Sequence, residues 1–124
     1  VHHRPRVRLR LRAGAVSMTQ GSTPALVWRV DAVGKSLVFV GDAEARGEPL
    51  ARLARSADLL AMSHTAPESA GDIGQLAQRA QVKQLVLSQR TRNTLGKEET
   101  ILTTVRQRYA GLASFANDLD CLTP

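Results

Sequence analysis

Asp42 is the residue of this sequence whose type and position best suit chemistry. It follows a glycine and the apolar run Leu37-Val38-Phe39-Val40, a pattern that predicts a buried strand ending in a carboxylate. Ligands of open α/β sheets bind at the carboxyl edge of the strands, where this side chain would lie. A turn or a helix cap is the commoner role for an Asp after a strand, so both interpretations stay open.

His64 is the second candidate for a chemical role. Residues 58 to 62 predict a short buried strand, and the loop that follows contains His64. If this strand runs parallel to the one before Asp42, both loops lie at the same edge of the sheet. A histidine on the surface of a loop is an equally good interpretation. His2 and His3 are adjacent, so on a strand they would point to opposite faces and would not chelate one ion together.

The composition predicts one globular domain over residues 1–124. The chain is 43% hydrophobic and 23% charged, which is typical of a folded soluble protein. It has no apolar run near the roughly 18 residues of a membrane span and no signal-peptide pattern, so we expect a soluble protein, with the cytoplasm slightly favoured. The single Cys121 excludes an intrachain disulfide. The chain begins at Val1 rather than Met, which also suits a fragment.

The positive charge of the chain is concentrated in an N-terminal arm, residues 1–12. The arm contains five arginines and no acid, and therefore carries five of the six net charges. Arg8, Arg10 and Arg12 alternate with apolar residues, which predicts a strand with one cationic face. This face is either a charged edge that blocks edge-to-edge pairing or a phosphate-binding surface for nucleic acid. The arm has no aromatic residue on which bases would stack.

The order of the predicted elements indicates an α/β fold with a mixed sheet. The first part gives a strand at 6–12, a bulge or bend at Ala13-Gly14 and a hairpin over 25–41, with Trp28 expected in the core. Helices are then predicted near 50–57, 68–80 and 97–109, the last ended by Gly111. They alternate with strands at 58–62, 84–89 and 112–116. The runs 37–40 and 85–87 predict strands buried on both faces.

The motifs at the strand ends, in this order, resemble the C-terminal half of a metallo-β-lactamase-fold hydrolase. They are Thr23-Pro24-Ala25-Leu26-Val27-Trp28, Val38-Phe39-Val40-Gly41-Asp42, Ala57-Asp58-Leu59-Leu60, Leu85-Val86-Leu87-Ser88 and Phe115-Ala116-Asn117-Asp118-Leu119. The branch with tRNase Z and arylsulfatase-like enzymes is the most similar. The resemblance implies half of an αββα sandwich, with helices on one face of the sheet. It also implies zinc as the cofactor and hydrolysis of a phosphodiester or similar ester by a metal-bound hydroxide.

The resemblance also assigns metal-ligand positions, and two of them are substituted. Asp42 matches the family's bridging carboxylate, but the two positions that carry histidine in the family are Gln20 and Gln89 here. A carboxamide oxygen is a weaker zinc ligand than imidazole, so zinc occupancy is doubtful. His64 matches either of two family histidines, one of which assists at the substrate phosphate. Asp42 and His64 are therefore the catalytic candidates.

Two functional classes follow. The chain is either a member or fragment of a zinc-dependent hydrolase, inactive or weakly active alone, or a non-catalytic interaction module that keeps the fold. We expect a homodimer, or a missing N-terminal half, to cover the second face of the sheet. Arg90, Arg92 and Lys97 suit an anionic substrate, although a solvated loop is the commoner explanation. Nucleic acid would bind through Arg8, Arg10 and Arg12, and no membrane partner is predicted.

Overall fold

A computed structural model describes residues 11–20, 23–41, 47–63, 67–88 and 90–124, with the side chains of 11–12, 15–20 and 23–26 excepted. Three strands come first, and helices then alternate with three further strands. The elements are β1 Leu11–Gln20, β2 Thr23–Ala32, β3 Lys35–Val40, α1 Glu48–Leu53, β4 Leu59–Ser63, a 3₁₀ turn Pro67–Ser69, α2 Ala70–Ala80, β5 Gln84–Ser88, α3 Glu98–Arg106 and β6 Leu112–Phe115.

The six strands form one mixed sheet whose spatial order is the same as their order in the chain. β1, β2 and β3 pair antiparallel, and β3, β4, β5 and β6 pair parallel. Parallel neighbours need a crossover connection, and α1, α2 and α3 lie in the three crossovers. The predicted α/β class and mixed sheet are confirmed.

A tight turn joins β2 to β3 and sets the register of the hairpin. Its two central residues, Val33 and Gly34, both have positive φ, 53° and 72°. This is the type I′ arrangement, whose twist matches that of the flanking strands. The turn pairs Ala32 with Lys35, and the ladder runs from there to Val27 opposite Val40.

The core lies between the sheet and the three helices. Val38, Leu60 and Leu85 are fully buried and lie in one row across β3, β4 and β5. The apolar faces of the three helices pack against this row: Leu50 and Ala54, then Ile73, Leu76, Ala77 and Ala80, then Ile101, Leu102, Val105 and Tyr109 are buried, and Leu53 is partly buried. The helical periodicity in the sequence therefore identified the packed faces correctly.

The face of the sheet opposite the helices, here called the outer face, is only partly covered. Trp28 and Phe39 are each 45% exposed, so the predictions of a core Trp28 and of a β3 buried on both sides are wrong. For β5 the same prediction is confirmed, since Leu85, Val86 and Leu87 are all buried. An apolar run shows that a strand lies inside the sheet, but it does not show whether a second layer covers it.

Several predicted boundaries also differ from the structure, among them that of the first helix, which was predicted near 50–57 but is α1 Glu48–Leu53. β1 continues through Ala13 and Gly14 without a bulge, because each pairs with a single partner, Val30 and Arg29. α3 ends at Arg106, not at 109, and Gly111 does not stop it. Tyr109 instead turns inward after the helix, and its hydroxyl donates a hydrogen bond of 2.7 Å to the carbonyl oxygen of Val82.

Asp58 joins three segments at the amino edge of the sheet. Its carboxylate accepts hydrogen bonds from the backbone N–H of Ser36 (2.8 Å) and from the Lys83 ammonium (3.0 Å). The backbone N–H of Asp58 in turn donates to the Ser36 carbonyl at 2.9 Å. These bonds hold the pKa of the Asp58 carboxyl below its usual value, with the Lys83 bond as the largest cause. Asp58 is therefore a structural carboxylate, remote from the edge where Asp42 is expected.

Within the described ranges, no helix is both long and apolar enough to cross a membrane.

Candidate functional site

The carboxyl ends of β3, β4, β5 and β6 lie side by side at one edge of the sheet. Val40 pairs with Met62, Ser63 with Ser88, and Leu87 with Phe115. Two serine hydroxyls fix this alignment: Ser63 donates to the Val40 carbonyl at 3.3 Å, and Ser88 donates to the Met62 carbonyl at 3.4 Å. Each hydroxyl spans to the preceding strand, so neighbouring strands end at nearly the same level.

The structure describes the residues that come just before three of the candidate residues, and these preceding residues lie at this edge. Asp42 follows Gly41 after β3, His64 follows the end of β4, and Gln89 follows the end of β5. These three residues lie outside the described ranges, so their side chains have no assigned geometry. Their proposed catalytic and metal-binding roles therefore stay predictions.

Gln20 lies towards the same edge of the sheet, but in the hairpin of β1 and β2, which extends beyond the end of β3. It is the last residue of β1 and pairs with Thr23, whereas β3 ends opposite Val27. Four residues of β2 therefore extend beyond the end of β3, a distance of roughly 13 Å at strand spacing. The side chain of Gln20 is not among those described, so its role as a substituted ligand also stays a prediction.

A cleft of about 740 Å³ opens at this edge beside the ends of β5 and β6. It is lined by Ser88, Arg90, Ala116, Asn117 and Asp118. Its volume is in the range of small-molecule sites. Sequence reasoning placed Asn117 and Asp118 only in a strand-end motif and did not predict a cleft there. The sequence did contain an indication of this cleft, because polar residues directly after the parallel strands β5 and β6 fall at a common edge of the sheet.

Arg90 is the cationic wall of this cleft, and most of its guanidinium is already engaged. One nitrogen donates to the Ala116 carbonyl at 2.8 Å, and another lies 3.5 Å from the Glu98 carboxylate. The guanidinium also stacks over the Phe115 ring, 5.1 Å from its centroid. Arg90 therefore ties the loop after β5 to the end of β6. The nearby Glu98 offsets its charge, which weakens its case as an anion-binding residue.

Opposite Arg90, the segment after β6 folds into a turn. The backbone N–H of Asn117 donates to the Asp120 carboxylate at 2.7 Å, and the N–H of Asp120 returns a bond of 3.1 Å to the Asn117 carbonyl. Asp118 lies between them, is exposed and lines the cleft. The cleft therefore presents one carboxylate and one largely compensated guanidinium to solvent.

The donor set predicted for a metal fits a zinc site poorly. It contains one carboxylate, Asp42, one imidazole, His64, and two carboxamides, Gln20 and Gln89. Zinc sites in proteins use imidazole, thiolate and carboxylate ligands, and a carboxamide oxygen is a weak substitute. In the described part of the chain, no three His, Cys, Asp or Glu side chains are grouped so as to hold a metal ion. Among the residues that the structure describes, there is therefore no complete zinc ligand set, and the four predicted donors remain predictions.

Comparison with known proteins supports the fold. No protein-family model matches the chain, and no curated protein matches it by sequence. Among solved structures, the metallo-beta-lactamase fold protein YhfI from Bacillus subtilis is similar, with a TM-score of 0.69 and 11% sequence identity. The chain resembles a fragment of the metallo-β-lactamase fold. The likeness covers 86% of this chain but 46% of YhfI, so the chain spans about half the length of that protein.

Proposed function

We propose that this chain is a half-domain of the metallo-β-lactamase-fold class of metal-dependent hydrolases and is inactive or weakly active on its own. Asp42 is its carboxylate at the reaction centre, and His64 is its one imidazole near the substrate. The tRNase Z and arylsulfatase-like branch suggested by the strand-end motifs implies a phosphodiester or a related anionic ester as substrate. The similar fold of YhfI supports the class, although a fold does not by itself establish a reaction.

The observation that carries this proposal is the alignment of the parallel strand ends. β3, β4 and β5 end in adjacent positions held by the Ser63 and Ser88 hydroxyls, and the next residues along the chain include Asp42, His64 and Gln89. Chemistry-bearing residues directly after three neighbouring parallel strands are typical of a site at the carboxyl edge.

The inactivity or weak activity that we propose for the single chain rests on the donor set. A bound metal ion would supply Lewis-acid activation of water, which is the role of zinc in this class. With Gln20 and Gln89 at the family's histidine positions, His64 is the one remaining imidazole that the resemblance assigns to the site of Asp42. A second chain or a preceding half-domain would have to supply the remaining ligands.

Metal analysis and paired substitutions test the proposal. We expect less than one equivalent of zinc per purified wild-type chain and little hydrolysis of bis(p-nitrophenyl) phosphate. The double variant Gln20→His with Gln89→His should bind zinc measurably more tightly by calorimetry, because imidazole replaces carboxamide at two positions of one site. Gln107→His, in an exposed position after α3, is the matched control and should gain nothing.

Two results would contradict parts of the proposal. If the double variant gains no zinc affinity over Gln107→His, Gln20 and Gln89 do not face a common metal site. If the wild-type chain holds two zinc ions and hydrolyses the phosphodiester, and Asp42→Asn abolishes both, the chain is an active enzyme and our inference from the two glutamines is wrong.

The second candidate is a non-catalytic interaction or subunit module. The exposed aromatic pair on the outer face favours it, because large apolar groups in contact with water mark interaction surfaces. In this case Asp42→Asn would change neither metal content nor hydrolysis, whereas substitutions on the outer face would change association. The two candidates thus differ in where substitutions have an effect. For the hydrolase, changes at the carboxyl edge of the sheet alter metal content and hydrolysis, and for the interaction module, changes on the outer face alter association.

A further inference from the structure

A pocket of about 280 Å³ lies between α1 and the C-terminal end of α2, and it shares no lining residue with the cleft beside β6. Its lining is mostly long and polar: Glu48, Ala51, Arg52, Arg55, Arg79 and Gln81. α1 and α2 lead into the starts of β4 and β5, so the pocket lies towards the amino edge of the sheet. These strands are five residues long, which puts the carboxyl edge roughly 13 Å away.

The charges of this pocket do not balance. Three arginines and one carboxylate line it, which leaves a net charge of +2. Glu48 of α1 pairs with Arg79 of α2, and about half of each side chain remains exposed. Within the described ranges, the guanidinium groups of Arg52 and Arg55 have no carboxylate or carbonyl partner. The excess positive charge therefore belongs to Arg52 and Arg55.

Arg52 and Arg55 lie on the same side of one helical turn. The backbone N–H of Arg55 donates to the Arg52 carbonyl at 3.3 Å, so the turn continues past the end of α1. Residues three apart on such a turn are neighbours on its surface. Ala54, between them, is fully buried, and both arginines are exposed. The two guanidinium groups therefore belong to one solvent-facing surface, which borders the pocket.

Basic side chains near the end of a helix commonly satisfy its free carbonyl groups. At the end of α1 this role belongs to Arg29 of β2, whose guanidinium donates to the carbonyl oxygens of Leu53 (2.7 Å) and Arg55 (2.8 Å). At the end of α2, the Ala80 carbonyl accepts a bond of 2.8 Å from the backbone N–H of Ser56. These carbonyl groups are therefore satisfied without the side chains that line the pocket, and the same bonds fix the backbone beneath it.

We propose that this arginine pocket binds the phosphate group of a small molecule, held by Arg52 and Arg55, with Arg79 on the opposite wall. A guanidinium donates two parallel N–H bonds to a phosphate and keeps its charge across the physiological pH range. The volume is close to the lower limit of small-molecule pockets, which suits a phosphate with a small attached group. Because the pocket is open to solvent, we expect a Kd of roughly 1 mM at low salt, which rises as salt screens the charges.

Nuclear magnetic resonance titration of the whole chain with inorganic phosphate tests the proposal, with EDTA present and ionic strength held constant with chloride. We expect the side-chain Nε–H resonances of Arg52 and Arg55 to shift and saturate. Arg52→Gln should weaken binding by at least roughly 5-fold, because it removes charge-assisted hydrogen bonds. Arg108→Gln, at an exposed position after α3, removes the same charge and is the matched control that should leave the affinity unchanged.

Two further measurements define the contact and the source of the phosphate. Arg52→Lys keeps the charge but loses the paired N–H donors, so its affinity should lie between those of wild type and Arg52→Gln. Adenosine monophosphate is titrated in parallel. Tighter binding than inorganic phosphate identifies a phosphate monoester as the ligand, and equal binding identifies free phosphate.

Four results would overturn the proposal. The first is the absence of any shift at Arg52 and Arg55 up to about 20 mM phosphate, well above the expected Kd. The second is equal weakening by Arg108→Gln. The third is weakening by His64→Ala but not by Arg52→Gln, which would assign the phosphate to the carboxyl edge. The fourth is binding of RNA alone, with neither small phosphate bound. If Arg52→Gln fails to fold by circular dichroism, Arg55→Gln replaces it. Failure of hydrolysis at the carboxyl edge leaves these measurements unaffected.

Discussion

Gly74 of α2 lies directly against the backbone of Val105 in α3. A Cβ added at Gly74 would be 2.6 Å from the Val105 carbonyl oxygen and 3.2 Å from its Cα. Both residues are buried, so the contact lies inside the packed layer between the two helices. The absence of a side chain at residue 74 therefore sets how closely the two helices pack over the sheet.

We expect Gly74→Ala to lower the free energy of unfolding by about 1 to 3 kcal/mol, because the new methyl group forces the two helices apart. Gly71→Ala, in the same helix, is the matched control. Its Cβ would meet only the flexible Arg108 side chain at 3.8 Å, so the variant should be neutral or more stable by up to about 1 kcal/mol. Urea denaturation measures both. Similar losses in the two variants would show that the close approach is not the cause.

Val33 in the β2–β3 turn is a position where the residue type does not suit the backbone conformation. A β-branched residue with φ of 53° is unfavourable, while its 76% exposure means that it contributes little packing. We expect Val33→Asn to raise the free energy of unfolding by roughly 0.5 to 1 kcal/mol, since Asn tolerates this conformation. Val33→Thr keeps the branched side chain and should give no such gain. Thermal melts of the three proteins distinguish these outcomes.

The Asp58 carboxylate gives the stability a defined pH dependence. Its pKa is lowered in the folded state by the bonds from Lys83 and Ser36, so the folded protein favours the ionised form. The stabilisation is therefore complete above the unfolded pKa of about 3.9 and is lost as pH falls through the lower folded pKa. We expect Asp58→Asn to cost roughly 1 to 2 kcal/mol at pH 7. The difference in the free energy of unfolding between wild type and Asp58→Asn should shrink in thermal melts below about pH 4.

The exposed Asp118 supplies the control for this experiment. Asp118→Asn removes the same charge without breaking the contacts of Asp58, and should change stability little at either pH. A constant difference between wild type and Asp58→Asn from pH 7 down to pH 2 would rule out the carboxylate as the origin of the effect.

The basic arm is the fourth testable feature. Residues 1–10 lie outside the described ranges, but β1, which begins at Leu11, is at the edge of the sheet. We expect replacement of Arg8, Arg10 and Arg12 by Ser to promote aggregation and to leave nucleic-acid binding unchanged, because the edge loses its charge repulsion. Light scattering and RNA titrations at several salt concentrations measure the two properties.

A control for the arm removes the same charge elsewhere, by replacing the exposed Arg52, Arg55 and Arg92 with Ser. If instead the arm variant stays soluble, and the slope of log K for RNA against log salt concentration becomes shallower by about 2 to 3, the arm is a phosphate-binding face.

The accuracy of the sequence predictions depended on whether the deciding interaction was local. The helix predicted at 68–80 and the strand predicted at 84–89 match α2 and β5 closely, because periodicity and turn residues are local properties. The exposure of Trp28 depends on a second layer, which no local pattern encodes. The hydroxyl of Tyr109, just after α3, bonds the carbonyl oxygen of Val82, 27 residues away, a contact that no local pattern encodes either.

For the candidate site, the sequence predicted the edge of the sheet where it lies but not the cleft beside β6. Alternation of helices and strands implied parallel neighbours, and the register of β3, β4 and β5 confirms that their ends meet. The cleft beside β6 was missed, because it depends on how Arg90 spans to Ala116. That contact joins residues 26 positions apart and has no signature in either segment alone.

The agreement between strand order and chain order has a consequence for synthesis on the ribosome. Each strand pairs with the one made just before it, so no strand has to wait for a distant partner to emerge. The hairpin of β2 and β3 can close at once, and each later crossover adds one helix and one strand to a growing edge. The chain can therefore acquire its sheet strand by strand in the order of synthesis, with a single connection to close at each step.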